Sequence, residues 1–226
     1  MSLRILTMNL YNGAVDPVGL AAVLEQSAPD IAAVQELTDS SARVLRDWAS
    51  HCLLDPQDDI TGMGIAARVP FEACRPEFPH RDPIIGSFDA RPWGLGTVEL
   101  INAHLTNPIA LPIGASRRLR QGEADALEKL LSNRHASTAR VLVGDLNSSP
   151  AWPLYRRLAS LATDGAVQAG TAKRTWSYYP WSPRMLRIDH VFLQGAVRCV
   201  ATRLVKIRGA DHRGLLIDLE PDPSVD

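Results

Sequence analysis

Cysteine is scarce in this chain and nowhere spaced as a ligand set: Cys52, Cys74 and Cys199 are the whole complement of its 226 residues. An odd, widely separated trio argues against both a disulfide framework and a zinc module, and reads as reduced intracellular thiols. Long apolar runs are missing as well. No stretch approaches the ~20 residues that span a bilayer, which excludes a transmembrane helix. The opening Met1-Ser2-Leu3-Arg4 runs directly into a strand pattern without the form of a signal peptide, so the expected compartment is the cytoplasm. There is no fixed-period repeat and no low-complexity linker. What remains is an ordinary globular composition, long enough to bury a full core, and a single domain over residues 1–226 is expected.

Charge of one sign is also lacking overall, since 24 Lys and Arg nearly balance 25 Asp and Glu for a net of −1. The distribution is uneven. Residues 1–112 carry a net −7, whereas 113–140 carry +3 and 168–213 carry +7. Such asymmetry fits an anionic partner, or two halves that lie side by side and neutralise each other; blocks in sequence do not by themselves choose between these.

Apolar periodicity alternates between strand and helix. Strands are expected at Leu3–Leu10, Ile31–Gln35, Met63–Arg68, Phe71–Phe78, Ile84–Asp89, Leu95–Ala103, Val141–Gly144, Arg187–Gln194, Arg198–Ile207 and Gly214–Leu219. Helices are expected at Val18–Ser27, opened by Asp16-Pro17, at Thr38–Ala49, at Ser116–Leu131, and at Pro150–Leu161 with Ser148 or Ser149 as cap. Each half opens β–α–β and continues in strands. That order implies two packed sheets with helices outside, an α/β or α+β sandwich. Residues 171–185, rich in Pro and Trp, read as a long loop of the kind that lines a site.

Polar residues recur at the tips of the apolar strands. Asn9 ends Ile5-Leu6-Thr7-Met8-Asn9, Glu36 follows Ile31–Gln35, and His104 follows Leu100-Ile101-Asn102-Ala103. Asp145 and Asn147 end Val141-Leu142-Val143-Gly144-Asp145-Leu146-Asn147, while Asp189 and His190 sit within Leu186–Phe192. A charge beside a β core must be paired, hydrogen-bonded or bound to metal. Near the end, Asp211-His212 places a carboxylate that can hold a hard cation next to an imidazole that can trade a proton near neutral pH.

Thr7-Met8-Asn9, Gln35-Glu36, Asn102-Ala103-His104-Leu105, Gly144-Asp145-Leu146-Asn147, Arg187-Ile188-Asp189-His190 and Asp211-His212-Arg213 together resemble the endonuclease/exonuclease/phosphatase family. That family includes pancreatic-type deoxyribonucleases, abasic-site endonucleases, inositol polyphosphate 5-phosphatases and bacterial sphingomyelinases. The resemblance spans residues 7–213 and implies a four-layer sandwich of two mixed β-sheets flanked by helices. It implies a metal-dependent phosphoric ester hydrolase that attacks phosphorus in line with water. Glu36, Asn9 and Asp211 correspond to ligands for Mg²⁺, with Mn²⁺ as the alternative. Asp145 and Asn147 would align the water and hold phosphate, and would share one face were the chain extended there. His212 would act on the phosphate or in proton transfer, oriented by Asp189, and His104 and Asn107 would donate hydrogen bonds to the phosphoryl group. Deoxyribonuclease-like chemistry makes a histidine the base, and abasic-endonuclease-like chemistry an aspartate; both residue types are present.

The resemblance implies a phosphate-ester substrate, with nucleic acid, lipid headgroup and small molecule all open, and implies no protein partner. A catalytically dead binding module would have lost at least one of these residues, and none is lost. Among the others, His190 reads as a packed core histidine and His51, His80 and His135 as solvated. Trp176, Tyr178, Tyr179 and Trp181 either stack on a ligand or pack their loop, and Arg117, Arg118 and Arg120 read as a solvated helix face.

Overall fold

The computed structural model describes residues 1–109, 112–132 and 139–224. Its strands are β1 (Leu3–Asn9), β2 (Ile31–Gln35), β3 (His51–Asp55), β4 (Met63–Ala67), β5 (Phe71–Cys74), β6 (Ile84–Asp89), β7 (Thr97–Asn102), β8 (Ala139–Asp145), β9 (Thr163–Asp164), β10 (Asp189–Gln194), β11 (Val197–Val205) and β12 (Gly214–Pro221). The helices are α1 (Pro17–Ser27), α2 (Asp39–Trp48), α3 (Ile113–Ser132), α4 (Pro153–Ala159) and α5 (Gly165–Gln168). Among the described residues the strands form two six-stranded sheets, ordered β11-β12-β1-β2-β4-β3 and β5-β6-β7-β8-β10-β9. Each has one parallel pair, β1 with β2 and β7 with β8, joined across α1 and α3 respectively. Those crossovers are the two β–α–β openings legible in the sequence.

Strand alternation builds the layers. Leu3 and Ile5 on β1 point into the space between the sheets with Leu100, Val141, Val191 and Ile217. Leu6 and Met8 on the same strand face outward onto Leu20 and Leu24 of α1 and Leu45 of α2. On the second sheet Ile101, Leu142 and Phe192 face Leu127 and Leu131 of α3 and Leu158 of α4. The result is the helix–sheet–sheet–helix sandwich that the pattern implied.

Local differences have local causes. β3 was not expected, because its half-buried HCLLD run at a sheet edge lacks alternation; His51, expected to be solvated, lies partly buried on it, opposite Ala67. β5 ends at Cys74, short of Phe78, with Pro76 and Pro79 interrupting the segment beyond it; a ring without an N–H cannot continue a ladder. The fourth helix begins at Pro153, with Trp152 as a cap that makes no side-chain hydrogen bond. Ser148 and Ser149 therefore do not cap it, since the fixed φ of Pro153 suits the first helical position. Asp16 does cap α1, accepting from Val18 N at 3.2 Å.

A polar link crosses the largely apolar inter-sheet layer beneath the site. Gln35 Nε2 donates to Asn102 Oδ1 at 2.6 Å, and Asn102 Nδ2 donates to the carbonyls of Val34 and Gly64 at 3.0 and 2.9 Å. Both residues are fully buried. Asn102→Ala would take the side-chain donor from two buried carbonyls and leave Gln35 Nε2 only its longer bonds to Thr7 Oγ1 and the Ala33 carbonyl, so we expect a loss of about 3 kcal/mol in urea unfolding at a near-constant m-value. A change below about 1 kcal/mol would mean that water or neighbouring groups replace the link.

Candidate active site

Strand pairing assembles the site before any side chain is considered. Parallel register sets Asn9 beside Gln35 at the C-terminal ends of β1 and β2, next to Glu36. In the second sheet, β7 and β8 end together, and antiparallel β10 places Asp189 directly across from Asp145. His212 precedes β12, which lies against β1. Ends of strands from both sheets thus meet at one rim of the sandwich, where Asn9, Glu36, His104, Asp145, Asn147, Asp189, Asp211 and His212 come together.

Asp145 Oδ2 is the point of convergence. Asn9 Nδ2 donates to it at 3.2 Å, and so does Asn147 Nδ2, also at 3.2 Å. The Nε2 atoms of His104 and His212 stand 3.6 and 3.7 Å away. Asn9 also donates to Glu36 Oε1 at 2.9 Å and so ties two carboxylates together, while its own Oδ1 accepts from Tyr11 N. Burial pushes Asp145 up to about 7, against the opposing pull of the His212 charge. Burial likewise raises Glu36, against the Asn9 hydrogen bond. His212 Nδ1 lies 2.9 Å from Asp189 Oδ2 and 3.1 Å from its Oδ1. Burial works against the imidazolium, but Asp189 and Asp145 outweigh it and carry the pKa up to about 10. His104, buried and beside Arg81, is held well below its ordinary value and is neutral.

Backbone strain marks two of these positions. Glu36 and Asn147 adopt left-handed φ values of 54° and 46°. The chain therefore does not stay extended through 145–147, and alternation is not what brings the two residues together. A tight turn does so, with Asp145 Oδ1 accepting from Asn147 N at 2.9 Å. Asn147 also donates to the Leu105 carbonyl at 2.9 Å, which clamps the 104–107 segment beside it. Asn107 lines the same cavity, its Oδ1 accepting from Ile109 N. That cavity holds about 350 Å³ and is walled by Tyr11, Ile60, Trp152, Trp176, Tyr178 and Leu186 around the polar cluster.

The donor set fits a hard divalent cation. Four carboxylates, those of Glu36, Asp145, Asp189 and Asp211, gather in one buried site with the cations Arg81 and His212 among them, and Arg120 and Arg184 act on them from its margin. Asp211 Oδ2 accepts from Trp176 Nε1 at 2.9 Å, but its Oδ1 is buried without a hydrogen-bond partner. Asp145, Asp189 and His212 also lie close enough together to hold an ion. Asp189 and His212 already satisfy one another, however, which leaves the oxygens of Glu36 and the unpartnered Oδ1 of Asp211 more available to an ion.

Several contributors were not foreseen. Arg81, buried in the loop before β6, lines the cavity and reaches the Leu105 carbonyl at 3.5 Å. No spacing rule distinguishes it from other loop arginines. Arg120, expected on a solvated face, is half-buried and donates to the carbonyls of Thr106 and Asn147. Glu123, one turn on, accepts from Thr106 N and Oγ1 at 3.0 and 2.8 Å. Thus α3 braces both loops of the site, and the R-x-x-E spacing on its inner face was the available signal. Arg117 and Arg118 are exposed, as expected. His190 is a core residue: its Nε2 meets the Ser148 carbonyl at 2.7 Å, and its ring packs on Tyr155 and Phe192. His80 is exposed, and His135 lies outside the described residues.

A sequence model of the Endonuclease/Exonuclease/phosphatase family matches residues 6–212. The chain belongs to that family. Membership makes it a phosphoester hydrolase, and the matched span holds every residue of the cluster. No curated protein matches it in sequence. Among solved structures, a humanized D. rerio TDP2 carrying 14 mutations superposes with a TM-score of 0.77 at 20% identity, covering 97% of this chain and 99% of that one. D. rerio TDP2 complexed with a single-strand DNA product gives 0.75 at 18%, with the same coverage. An endonuclease/exonuclease/phosphatase protein from Beutenbergia cavernae DSM 12333 gives 0.73 at 22%, covering 97% of this chain and 72% of that one. At these identities the likeness establishes the endonuclease/exonuclease/phosphatase fold. Among the described residues no helix is long and apolar enough to cross a membrane.

Proposed function

We propose that this chain is a Mg²⁺-dependent phosphodiesterase of the nuclease type, folded as one domain, that attacks phosphorus in line with water. The observation that carries the reading is the chain Asp189–His212–Asp145 gathered with Glu36, which Asn9 ties to Asp145, and with Asp211, whose Oδ1 lies 4.0 Å from His212 Nε2, at one buried cleft. Mg²⁺ suits these ligands and Mn²⁺ is the alternative; when bound, the cation supplies Lewis-acid stabilisation to a phosphoryl oxygen and the leaving oxygen. Glu36 and Asp211, with Asn9 beside them, would hold it. Asp145 takes the proton of the attacking water, its Oδ2 being aimed into the cleft by Asn9 and Asn147. His212 is held charged between two carboxylates and serves as a donor to the phosphoryl group from Nε2. Asp189 holds its ring plane and, through Nδ1, its charge. His104, neutral, and Asn107 add donors from the same cavity, and Arg81 adds positive charge.

A single-strand DNA product in a structure of like fold supports a polynucleotide substrate. The modest cavity and its apolar Ile60 and Leu186 favour a second reading, a lipid-headgroup or small phosphate ester. With Cys52, Cys74 and Cys199 all unpaired, we read the protein as working in a reducing compartment such as the cytoplasm.

The test pairs activity with binding. Bis(4-nitrophenyl) phosphate, abasic and nicked DNA, RNA, a mono-aryl phosphate, phosphoinositides and sphingomyelin are offered with Mg²⁺. Separately, Mg²⁺ is titrated while the thermal midpoint is followed. We expect diester turnover that EDTA abolishes, and a saturable rise in midpoint that Glu36→Gln removes while keeping the Asn9 hydrogen bond. No turnover of any member, or an equal Mg²⁺ response from Glu36→Gln, would overturn the reading.

A further inference from the structure

Between α5 and β10 the chain forms a finger with a firm base. Trp176 bridges to both Leu186 and His212, with Met185 N donating to the Trp176 carbonyl at 2.7 Å. The finger is also braced internally. Ser177 Oγ donates to the Tyr179 carbonyl at 2.7 Å, Ser182 N returns to the same carbonyl at 3.0 Å, and the Arg184 guanidinium joins Ser177 Oγ, the Asp211 carbonyl and the Pro180 carbonyl. Four rings run along it in series. Trp176 meets Tyr178 edge-on at 6.5 Å, Tyr178 meets Tyr179 edge-on at 4.7 Å, and Tyr179 stacks on Trp181 at 4.9 Å with the planes 8° apart. The inner two line the catalytic cavity beside Asp211 and His212, and the outer end stands in solvent, with Trp181 81% and Tyr179 48% exposed.

Exposed aromatic side chains in mutual contact signal a partner, because burying them elsewhere in the core would have been favourable. The setting says which kind. Residues 171–187 hold no carboxylate; Arg187 is buried against Asp164, but Lys173 and Arg174 are exposed and Arg184 stands at the finger's base, so the surroundings suit an anionic ligand. The rings lead outward from the catalytic histidine in single file, which matches a chain-like ligand continuing from the reacting phosphate rather than a flat surface. Aromatic faces take up bases only where those bases are unstacked and unpaired.

We propose that this finger grips an unpaired polynucleotide strand next to the phosphate being cut, with bases stacking on Tyr179 and Trp181. The inference rests on the phosphodiesterase reading above. Binding of fluorescein-labelled dT12 by the full chain is followed by anisotropy in EDTA, where no cleavage occurs, alongside a hairpin duplex and phosphatidylserine/phosphatidylcholine vesicles. The parent is expected to prefer dT12 to the duplex. Trp181→Ala weakens dT12 binding by about tenfold and Trp181→Phe restores most of it, as loss and retention of one base–ring stack would. Equal affinity of parent and Trp181→Ala for dT12, a preference for duplex, or vesicle binding without dT12 binding would overturn it, the last in favour of a lipid surface. Trp181 is almost wholly in solvent, so these substitutions place no burden on folding. Because the assay runs without turnover, its failure leaves the hydrolase reading to stand or fall on bis(4-nitrophenyl) phosphate.

Discussion

His212→Ala is expected to lower kcat/KM for bis(4-nitrophenyl) phosphate by about 10³–10⁴, the scale of losing a positioned charged donor together with its proton-transfer partner. The imidazole sits between Asp189 and Asp145, at 2.9 and 3.7 Å, and nothing else in the cluster reaches both carboxylates with a positive charge. Asp189→Asn keeps the shape but substitutes an amide for the carboxylate that fixes the ring. A loss of about 10²-fold follows, because the charge and orientation of His212 are then no longer held by a carboxylate. If the two residues work as one unit, the double variant is no worse than His212→Ala alone. Losses that multiply would show that Asp189 and His212 act independently, and an active His212→Ala would remove the histidine from the chemistry altogether.

Gly144→Ala is expected to cost about 4 kcal/mol or more and to abolish activity with it. Gly144 has a φ of +128°, and a Cβ built there would stand 2.0 Å from the Ala103 carbonyl oxygen and 3.1 Å from its carbon. Backbone cannot yield as a flexible side chain does, so β7 and β8 would have to separate where His104 and Asp145 are held. Gly170→Ala is the internal comparison: its φ is +65° but nothing lies within 4 Å, so only conformational strain remains, about 1 kcal/mol. Urea unfolding of the two variants separates close approach from strain. Equal costs at the two positions would mean that β7 and β8 adjust, and that the glycine of Gly144-Asp145-Leu146-Asn147 serves its φ alone.

Much of the site was legible because it is local. Asn9, Glu36, His104, Asp145 and Asp189 stand where a polar residue interrupts or ends an apolar run, and such a break beside a core demands a partner. The layers were legible for the same reason, since Leu3 and Ile5 against Leu6 and Met8 already declare two faces of one strand. The contributors that escaped notice act across long separations. Arg81 is an ordinary loop arginine until the Leu105 carbonyl and the carboxylates of the cleft surround it. Arg120 and Glu123 resemble a charged helix face until α3 is laid over Thr106 and Asn147.

The sequence by itself determined the two β–α–β openings, the alternation that makes a sandwich, and the set of polar residues at one end of its strands, because strand period and chain order are properties of neighbours. Only the tertiary structure decided which of those residues touch. Asp145 meets Asp189 through the register of β8 with β10, and His212 joins them through a loop leading into β12, which is paired in the other sheet. Whether a carboxylate holds a proton, a cation or an imidazolium depends on burial and on the charges within a few ångströms, and that proximity exists only once the two sheets are packed.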